Sequence, residues 1–254
     1  MISMKIAIDI GNTTIAIGLS KTGEFVDKIY RINTEKNKSS DEYSLVLRGL
    51  ITECESVIIS SVVPELNEVF RDYFQEYFNI DAIFVGTGTK TGIKINSDNP
   101  KEVGADLIAN SVGATNIYSE TCLVIDLGTA TTFTYLENKV LKGVVIATGL
   151  TTSKNALVSQ TSLLPQVELQ APKKVLGTNS VDCIKSGLVY GHASMIDGMV
   201  KRIKLETKRN DLKVIITGGH SKIVYPYLDE EITKDESLIL KGLLIILSKN
   251  IKSN

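Results

Sequence analysis

Cysteine is scarce in this 254-residue chain, and the three present, Cys54, Cys122 and Cys183, are odd in number and far apart. With no Cys-x-x-Cys pair, neither a disulfide framework nor a cysteine zinc site is indicated, and buried thiols are expected. An excess of either charge is missing as well. The net charge is −1 with Lys and Arg scattered, which gives no basic field for nucleic acid or an anionic membrane. No apolar run approaches a membrane span; LILKGLLIIL is short and contains Lys241. The start, MISMKIAID, lacks the charged and apolar regions of a secretion signal, so a cytoplasmic, soluble protein is expected. Histidine occurs only at His192 and His220, both read as structural or surface residues. What remains, 43% hydrophobic against 22% charged residues, suffices for ordinary cores. The expected partner is a small molecule or another copy of the chain.

What the sequence does contain is a repeat. MKIAIDIGNTT, Met4 to Thr14, is answered by CLVIDLGTATT, Cys122 to Thr132. Laid over each other, Asp9 meets Asp126, Gly11 meets Gly128, and Thr14 meets Thr131. TIAIGLS and EFVDKIYRI follow the first copy, TTFTYLE and KVLKGVVI the second. Each copy therefore reads as three short β-branched strands joined by turns. One module used twice predicts two similar halves, 1–118 and 119–254.

The chemistry of such a corner is specific. A carboxylate ending a buried strand, followed by Gly and hydroxyl residues, can hold a hydrated cation beside backbone N–H groups that grip phosphate. Gly11 and Gly128 would let phosphate approach the backbone with no Cβ in the way. A single Asp-x-Gly could merely close a hairpin; two copies in the same strand pattern favour the phosphate reading.

Between the repeats, Ser39 and Glu42 form a capping box opening a helix whose apolar face is Tyr43, Leu45, Val46, Leu47, Leu50 and Ile51. SVIISSV from Ser56 reads as a strand, and Pro64 as the first-turn proline of a helix through Tyr77. DAIFVG continues the alternation, so a mixed sheet with covering helices is expected. Residues 86–99 are a polar, turn-rich loop of the kind that lines a site. A helix beginning just beyond Pro100 carries Gly104-Ala105-Asp106 near its start, where Asp106 either complements the helix dipole or serves as base for an alcohol. Further on come a helix from about Leu150, a loop past Pro165 and Pro172, and a long helix capped by Asn179 or Ser180. Its glycines, Gly187 and Gly191, predict close packing against another backbone. KVIITGGH is a buried strand running into Gly218 and Gly219, and the last helix is apolar on most faces.

The two Asp-x-Gly corners with the late Thr-Gly-Gly resemble the phosphate and adenosine motifs of the acetate kinase, sugar kinase, Hsp70 and actin superfamily. Within it, DIGNT (9–13), NPKEVGAD (99–106), DLGTATT (126–132), Gly177 to Ser180 and TGG (217–219) resemble type III pantothenate kinase. The resemblance covers nearly the whole chain and implies an α/β, duplicated ribonuclease H-like fold, each half a mixed five-stranded sheet with covering helices. It implies an ATP-dependent kinase, a transferase phosphorylating pantothenate at the first step of coenzyme A biosynthesis. Asp9, with Gly11, Asn12, Thr13 and Thr14, would lie at ATP phosphate and its Mg2+; Asp126 would hold a monovalent cation, K+ or NH4+. Gly128, Thr129, Gly218 and Gly219 would contact the nucleotide. Asp106 would accept the proton of the pantothenate hydroxyl, with Gly104, Ala105, Leu107 and Ser180 around the substrate. The family is dimeric, with the substrate pocket partly built by the second subunit.

The chain departs from the family pattern at Leu107, usually Arg, at Ser97, usually Tyr, and in GVVIATG, 143–149. Three readings stay open: a pantothenate kinase whose substrate carboxylate is held by another group such as Lys90 or Lys94, a kinase for another small alcohol, and a nucleotide-binding regulatory relative.

Overall fold

A computed structural model describes residues 4–160 and 164–251. The first repeat forms a hairpin meander, β1 (Lys5–Ile10), β2 (Thr14–Ser20) and β3 (Lys28–Asn33). Then come α1 (Ser40–Leu47), β4 (Ser56–Ser61), a 3-10 turn at Pro64–Leu66, α2 (Asn67–Phe78), β5 (Ile83–Phe84) and β6 (Lys94–Ile95). A second 3-10 turn at Pro100–Glu102 leads into α3 (Ala105–Ile117). The second repeat gives β7 (Cys122–Leu127), β8 (Ala130–Glu137) and β9 (Val140–Thr148), followed by α4 (Leu150–Ser159) and α5 (Ser180–Thr207). After β10 (Lys213–Thr217), the short α6 (Ser221–Val224) and β11 (Thr233–Lys234), the chain closes with α7 (Leu238–Asn250). Residues 161–163 of the expected loop after α4 lie outside the described residues.

The two sheets repeat one topology. The first runs β3-β2-β1-β4-β5; the second runs β9-β8-β7-β10-β11, with β6 added beyond β9. In each, the first strand pairs antiparallel with its hairpin partner and parallel with the strand that returns after the helices. This is the duplicated ribonuclease H-like arrangement.

Two compact units result. One gathers the residues up to Glu120, Asn138–Lys142 and those from Ser237 on; the other holds Thr121–Glu137 and Gly143–Glu236. The break near 120 lies close to the junction of the repeats, whereas α7 clusters with the first unit although it follows the second repeat. In the first unit, Ile6, Ile8 and Ile10 of β1 pack with α1 and α2 through Tyr43, Leu47, Phe70 and Phe74. On the opposite face, Ala7 and Ile58 meet Ile108 and Val112 of α3 and Leu243 and Leu247 of α7. Each fully buried Ile, Leu, Val or Phe side chain contributes roughly 1.5–3 kcal/mol. In the second unit Leu123, Ile125 and Leu127 pack with Ile184, Leu188 and Ile196 of α5.

Several helices carry their expected signals. Ser39 Oγ accepts the Glu42 N–H (3.3 Å) while Glu42 Oε2 accepts the Ser39 N–H (2.9 Å), completing the capping box of α1. The expected apolar face is corrected: Tyr43 and Leu47 are buried, but Leu45 is 79% exposed, because α1 is two turns long and presents residue 45 to solvent. Asn179, not Ser180, caps α5 by accepting the Asp182 N–H. Gly187 and Gly191 face open space, so the close backbone packing expected of them is not found among the described residues. Cys122 is buried and Cys54 half-buried, and burial pushes both thiols up to about 12; Cys183 is exposed, against the expectation of three buried thiols.

Candidate active site

Strand alternation places the first carboxylate. Ile8 and Ile10 turn to the α1 and α2 layer, so Asp9 falls on the face shared by Ala7, Ile58 and helices α3 and α7. The ladder sets Asp9 beside Ala16 of β2 and Ser60 of β4. The loop beyond is closed by Gly11 N–H donating to the Thr14 carbonyl (3.0 Å), with Asn12, Thr13 and Thr14 exposed. Thr34, just after β3, holds it from one side: its N–H donates to Thr13 O (3.1 Å) and its hydroxyl to Gly11 O (2.6 Å).

The second corner starts from the same ladder and turns more tightly. Asp126 lies beside Thr132 of β8 and Thr217 of β10. Ile10 pairs with Ile15 across the first loop, but Leu127 pairs with Thr131 across the second, so the first loop is one residue longer. The sequence overlay therefore holds from Asp9 to Gly11 and slips beyond: Ile15, not Thr14, stands where Thr131 stands. Gly128 N–H donates to the Ala130 carbonyl (3.0 Å), and the Thr129 carbonyl accepts both the Gly149 N–H (3.2 Å) and the Thr152 hydroxyl (2.8 Å) at the start of α4.

Gly218 is packed against this corner. Its φ of +92° lies in the left-handed region, and a Cβ there would come within 2.4 Å of Asp126 Oδ1 and 2.5 Å of Leu127 N. Only glycine satisfies both constraints. The Thr-Gly-Gly motif and the Asp126 corner, read separately from the sequence, thus form one structure. Gly219 beside it is exposed.

Asp106 sits in the first turn of α3, whose N-cap is Gly104. Its Oδ1 accepts the Leu107 N–H (2.8 Å), and a Cβ on residue 104 would come within 2.4 Å of that oxygen. Burial raises the Asp106 pKa above the ordinary carboxylate value, with the Leu107 and Asp106 backbone N–H groups opposing the shift. Val62 links this helix start to the first corner: its N–H donates to Ile10 O (3.0 Å), and its Cγ1 lies 3.9 Å from the Cβ position of residue 104. Asp9 and Asp106 therefore serve one face of the first sheet. The 86–99 loop belongs to the same unit, tied to the end of α7 by reciprocal Lys90–Asn250 hydrogen bonds (3.0 Å each) and by Lys249 Nζ donating to Thr91 O (2.9 Å).

Ser180 stands apart. It is the exposed first residue of α5, about 18 Å along the helix axis from His192, the α5 residue that touches the second corner. His192 Nε2 lies 2.9 Å from Thr131 Oγ1, and His220 Nε2 lies 3.1 Å from Thr151 Oγ1. The sequence reading assigned neither histidine to the site, because a lone histidine carries no periodic signal.

The donor set suits cations bound through oxygen. Among the described residues no three His, Cys, Asp or Glu side chains gather into a metal cage. Each corner carboxylate instead has a buried hydroxyl as ladder neighbour: Ser60 beside Asp9 and Thr132 beside Asp126, each Oγ without a hydrogen-bond partner. One carboxylate with nearby hydroxyls, carbonyls and water is the environment of a hydrated Mg2+ or an alkali ion.

Known proteins match this architecture. Residues 5–202 match the family model described as type III pantothenate kinase. The type III pantothenate kinase of Acholeplasma laidlawii is 45% identical over 251 residues, covering 98% of this chain and all of that protein. Among solved structures, a Baf family transcriptional activator from Campylobacter jejuni aligns with a TM-score of 0.58 at 20% identity, covering 96% of this chain and 98% of the other. An inorganic polyphosphate/ATP-glucomannokinase from Arthrobacter aligns with a TM-score of 0.51 at 16% identity, covering 98% and 100%. At those identities the two structures establish the shared fold alone. The full-length sequence match and the motifs, seated on the two corners and the α3 start, establish the rest: the chain belongs to the type III pantothenate kinase family.

Proposed function

We propose that this protein transfers the γ-phosphoryl group of ATP to the hydroxyl of pantothenate, the first step of coenzyme A biosynthesis, as a cytoplasmic homodimer. The observation that carries the reading is the Asp106 carboxylate, half-buried at a helix start that glycine keeps open and set on the same sheet face as Asp9. The two repeat halves, 1–118 and 119–254, carry one corner each. Asp9, Gly11, Asn12, Thr13 and Thr14 serve phosphate and Mg2+; Asp126, Gly128 and Thr129 serve phosphate and a monovalent cation; Gly218 and Gly219 serve the nucleoside. When bound, these cations supply the positive charge that offsets the negative charge of the transferring group.

The chain's own contribution at the acceptor is a proton acceptor. As the pantothenate oxygen bonds to phosphorus and ADP leaves, the hydroxyl proton passes to Asp106. Oδ1 is engaged by the Leu107 N–H, so Oδ2 is the atom that receives it. In a loose transition state the alcohol proton leaves late, and a carboxylate suffices as base. Gly104 and Ala105 leave room for the substrate, and Leu107 makes that wall more apolar than the family's Arg.

A second copy is supported by α5, where Gly187, Gly191 and Ser194 form an exposed strip of small residues with open space beside both glycines. Such a strip admits another helix closely. Ser180, on the same helix and remote from its own corner, is then available to the partner's pocket. A mass in solution of twice 27.7 kDa is expected, and a monomer at assay concentration would remove this part of the reading.

The deciding assay is ADP release with ATP, Mg2+ and K+, with and without pantothenate. Asp106→Asn is expected to lose turnover at least 100-fold while keeping nucleotide affinity. Burial raises the Asp106 pKa, so the acid limb of the wild-type rate is expected at higher pH than an ordinary aspartate would give. Loss of nucleotide binding in the variant, or release indifferent to pantothenate in the wild type, would overturn the assignment.

A further inference from the structure

Both histidines of the chain converge on one five-residue corner, Leu127–Thr131. From α5, His192 reaches Thr131, the residue that re-enters the ladder opposite Leu127; residue and ring are both buried. From the turn after β10, the His220 N–H donates to the Leu127 carbonyl (3.2 Å), and its ring meets Thr151 in the first turn of α4. The next residue of that turn, Thr152, donates to the Thr129 carbonyl (2.8 Å). The corner is thus held at Leu127 by the main chain of residue 220, at Thr131 by the His192 ring, and at Thr129 by the helix that the His220 ring grips.

We infer that His192 and His220 are positioning residues for the nucleotide and monovalent-cation site of this corner. His192 fixes the strand re-entry at Thr131, and His220 locks the corner to the start of α4. The inference rests on the proposed reading of residues 126–131 and adds to it the groups that hold that corner in its receptive shape. The chemistry suits the task. Burial lowers the pKa of both rings, His192 further through its neighbour His220, and His220 further through Lys154 against the opposing Gly128 backbone. Each ring is therefore neutral near pH 7 and can pair with a hydroxyl without bringing a positive charge beside the cation. At the first corner the holding bonds are of another kind: Thr34 holds two carbonyls, and Asn12 to Thr14 are exposed.

The test uses the full-length protein and four variants: His192→Ala, His192→Gln, His220→Ala and His220→Gln. Calorimetric affinity for a non-hydrolysable ATP analogue, the half-saturating K+ concentration, the KM for pantothenate and the thermal midpoint are read together. The alanine variants are expected to weaken both analogue and K+ by on the order of ten-fold, the effect of one lost hydrogen bond of about 1.4 kcal/mol. The pantothenate KM should stay within about two-fold. Glutamine, whose amide nitrogen can occupy the place of Nε2, should restore most of the loss. Alanine variants that melt earlier yet keep wild-type analogue and K+ values would show the histidines to be ordinary core residues and overturn the inference. Should an alanine variant fail to fold, His192→Asn replaces it, being too short to reach Thr131; equal analogue affinity for Asn, Gln and wild type overturns the inference equally. A wild-type protein that binds no analogue would instead sink the reading of the corner itself.

Discussion

The first and second corners are built from one ladder and finished by different means. Asp9 and Asp126 occupy the same register between an antiparallel and a parallel neighbour. Beyond that point the first loop is a residue longer, exposed at Asn12 to Thr14 and held at two carbonyls by Thr34. The second is tight, backed by Gly218, the start of α4 and two histidines. Duplication copies the strand pairing, because backbone hydrogen bonds and alternating burial define it without reference to particular side chains. Bracing groups come from elsewhere in the chain, and each copy acquired its own. The same carboxylate therefore sits beside a longer, exposed loop in one half and a tight, closely packed one in the other.

Substitutions can break this contrast. The largest effect is expected from Gly218→Ala, which forces a left-handed residue to carry a Cβ into the Asp126 carboxylate and the Leu127 backbone. A destabilisation of about 3 kcal/mol is expected, a fall in thermal midpoint of roughly 10 °C, together with loss of nucleotide binding. Gly128→Ala is the control, since a Cβ there meets nothing closer than the Ala130 carbonyl at 3.7 Å. Its unfolding free energy should stay within about 0.5 kcal/mol of wild type, and equal destabilisation by the two changes would show that the Gly218 contact is not what shapes the corner. A smaller effect is expected from Thr34→Val, which removes the bond to the Gly11 carbonyl at nearly constant volume. A loss of about 1 kcal/mol, with the KM for ATP raised roughly five-fold, would sharpen the view that this one residue shapes the first loop. An unchanged KM would mean the loop sets its own shape.

Much of this was legible in the sequence where the signal is local. Alternating β-branched residues gave the strands, Ser39 with Glu42 gave the start of α1, and the repeated Asp-x-Gly located both corners. The match of Thr14 with Thr131 concealed the one-residue difference between loops, since similar residues align whether or not they pair alike. Leu45 was misplaced because eight residues are too few for a helical stripe to declare its direction. The histidine bonds span 61 and 69 residues, and no pattern in the chain announces a contact at that separation. Nor does any local signal tell that α7 would leave the repeat it follows, for its apolar surface suits either core.

That placement of α7 bears on synthesis. Thr121 to Glu236 contains every strand and helix of the second unit, so that unit can consolidate while the ribosome is still translating. The first unit, begun earlier, must wait. Leu240, Leu243 and Leu247, which pack on Ala7 and Ile58, emerge only after the whole second unit. Until they do, that face of the N-terminal sheet is covered by α3 without α7, so the unit begun first is completed only after the second, and a nascent chain stalled before Ser237 would expose apolar surface of Ala7, Ile58 and α3 to chaperones.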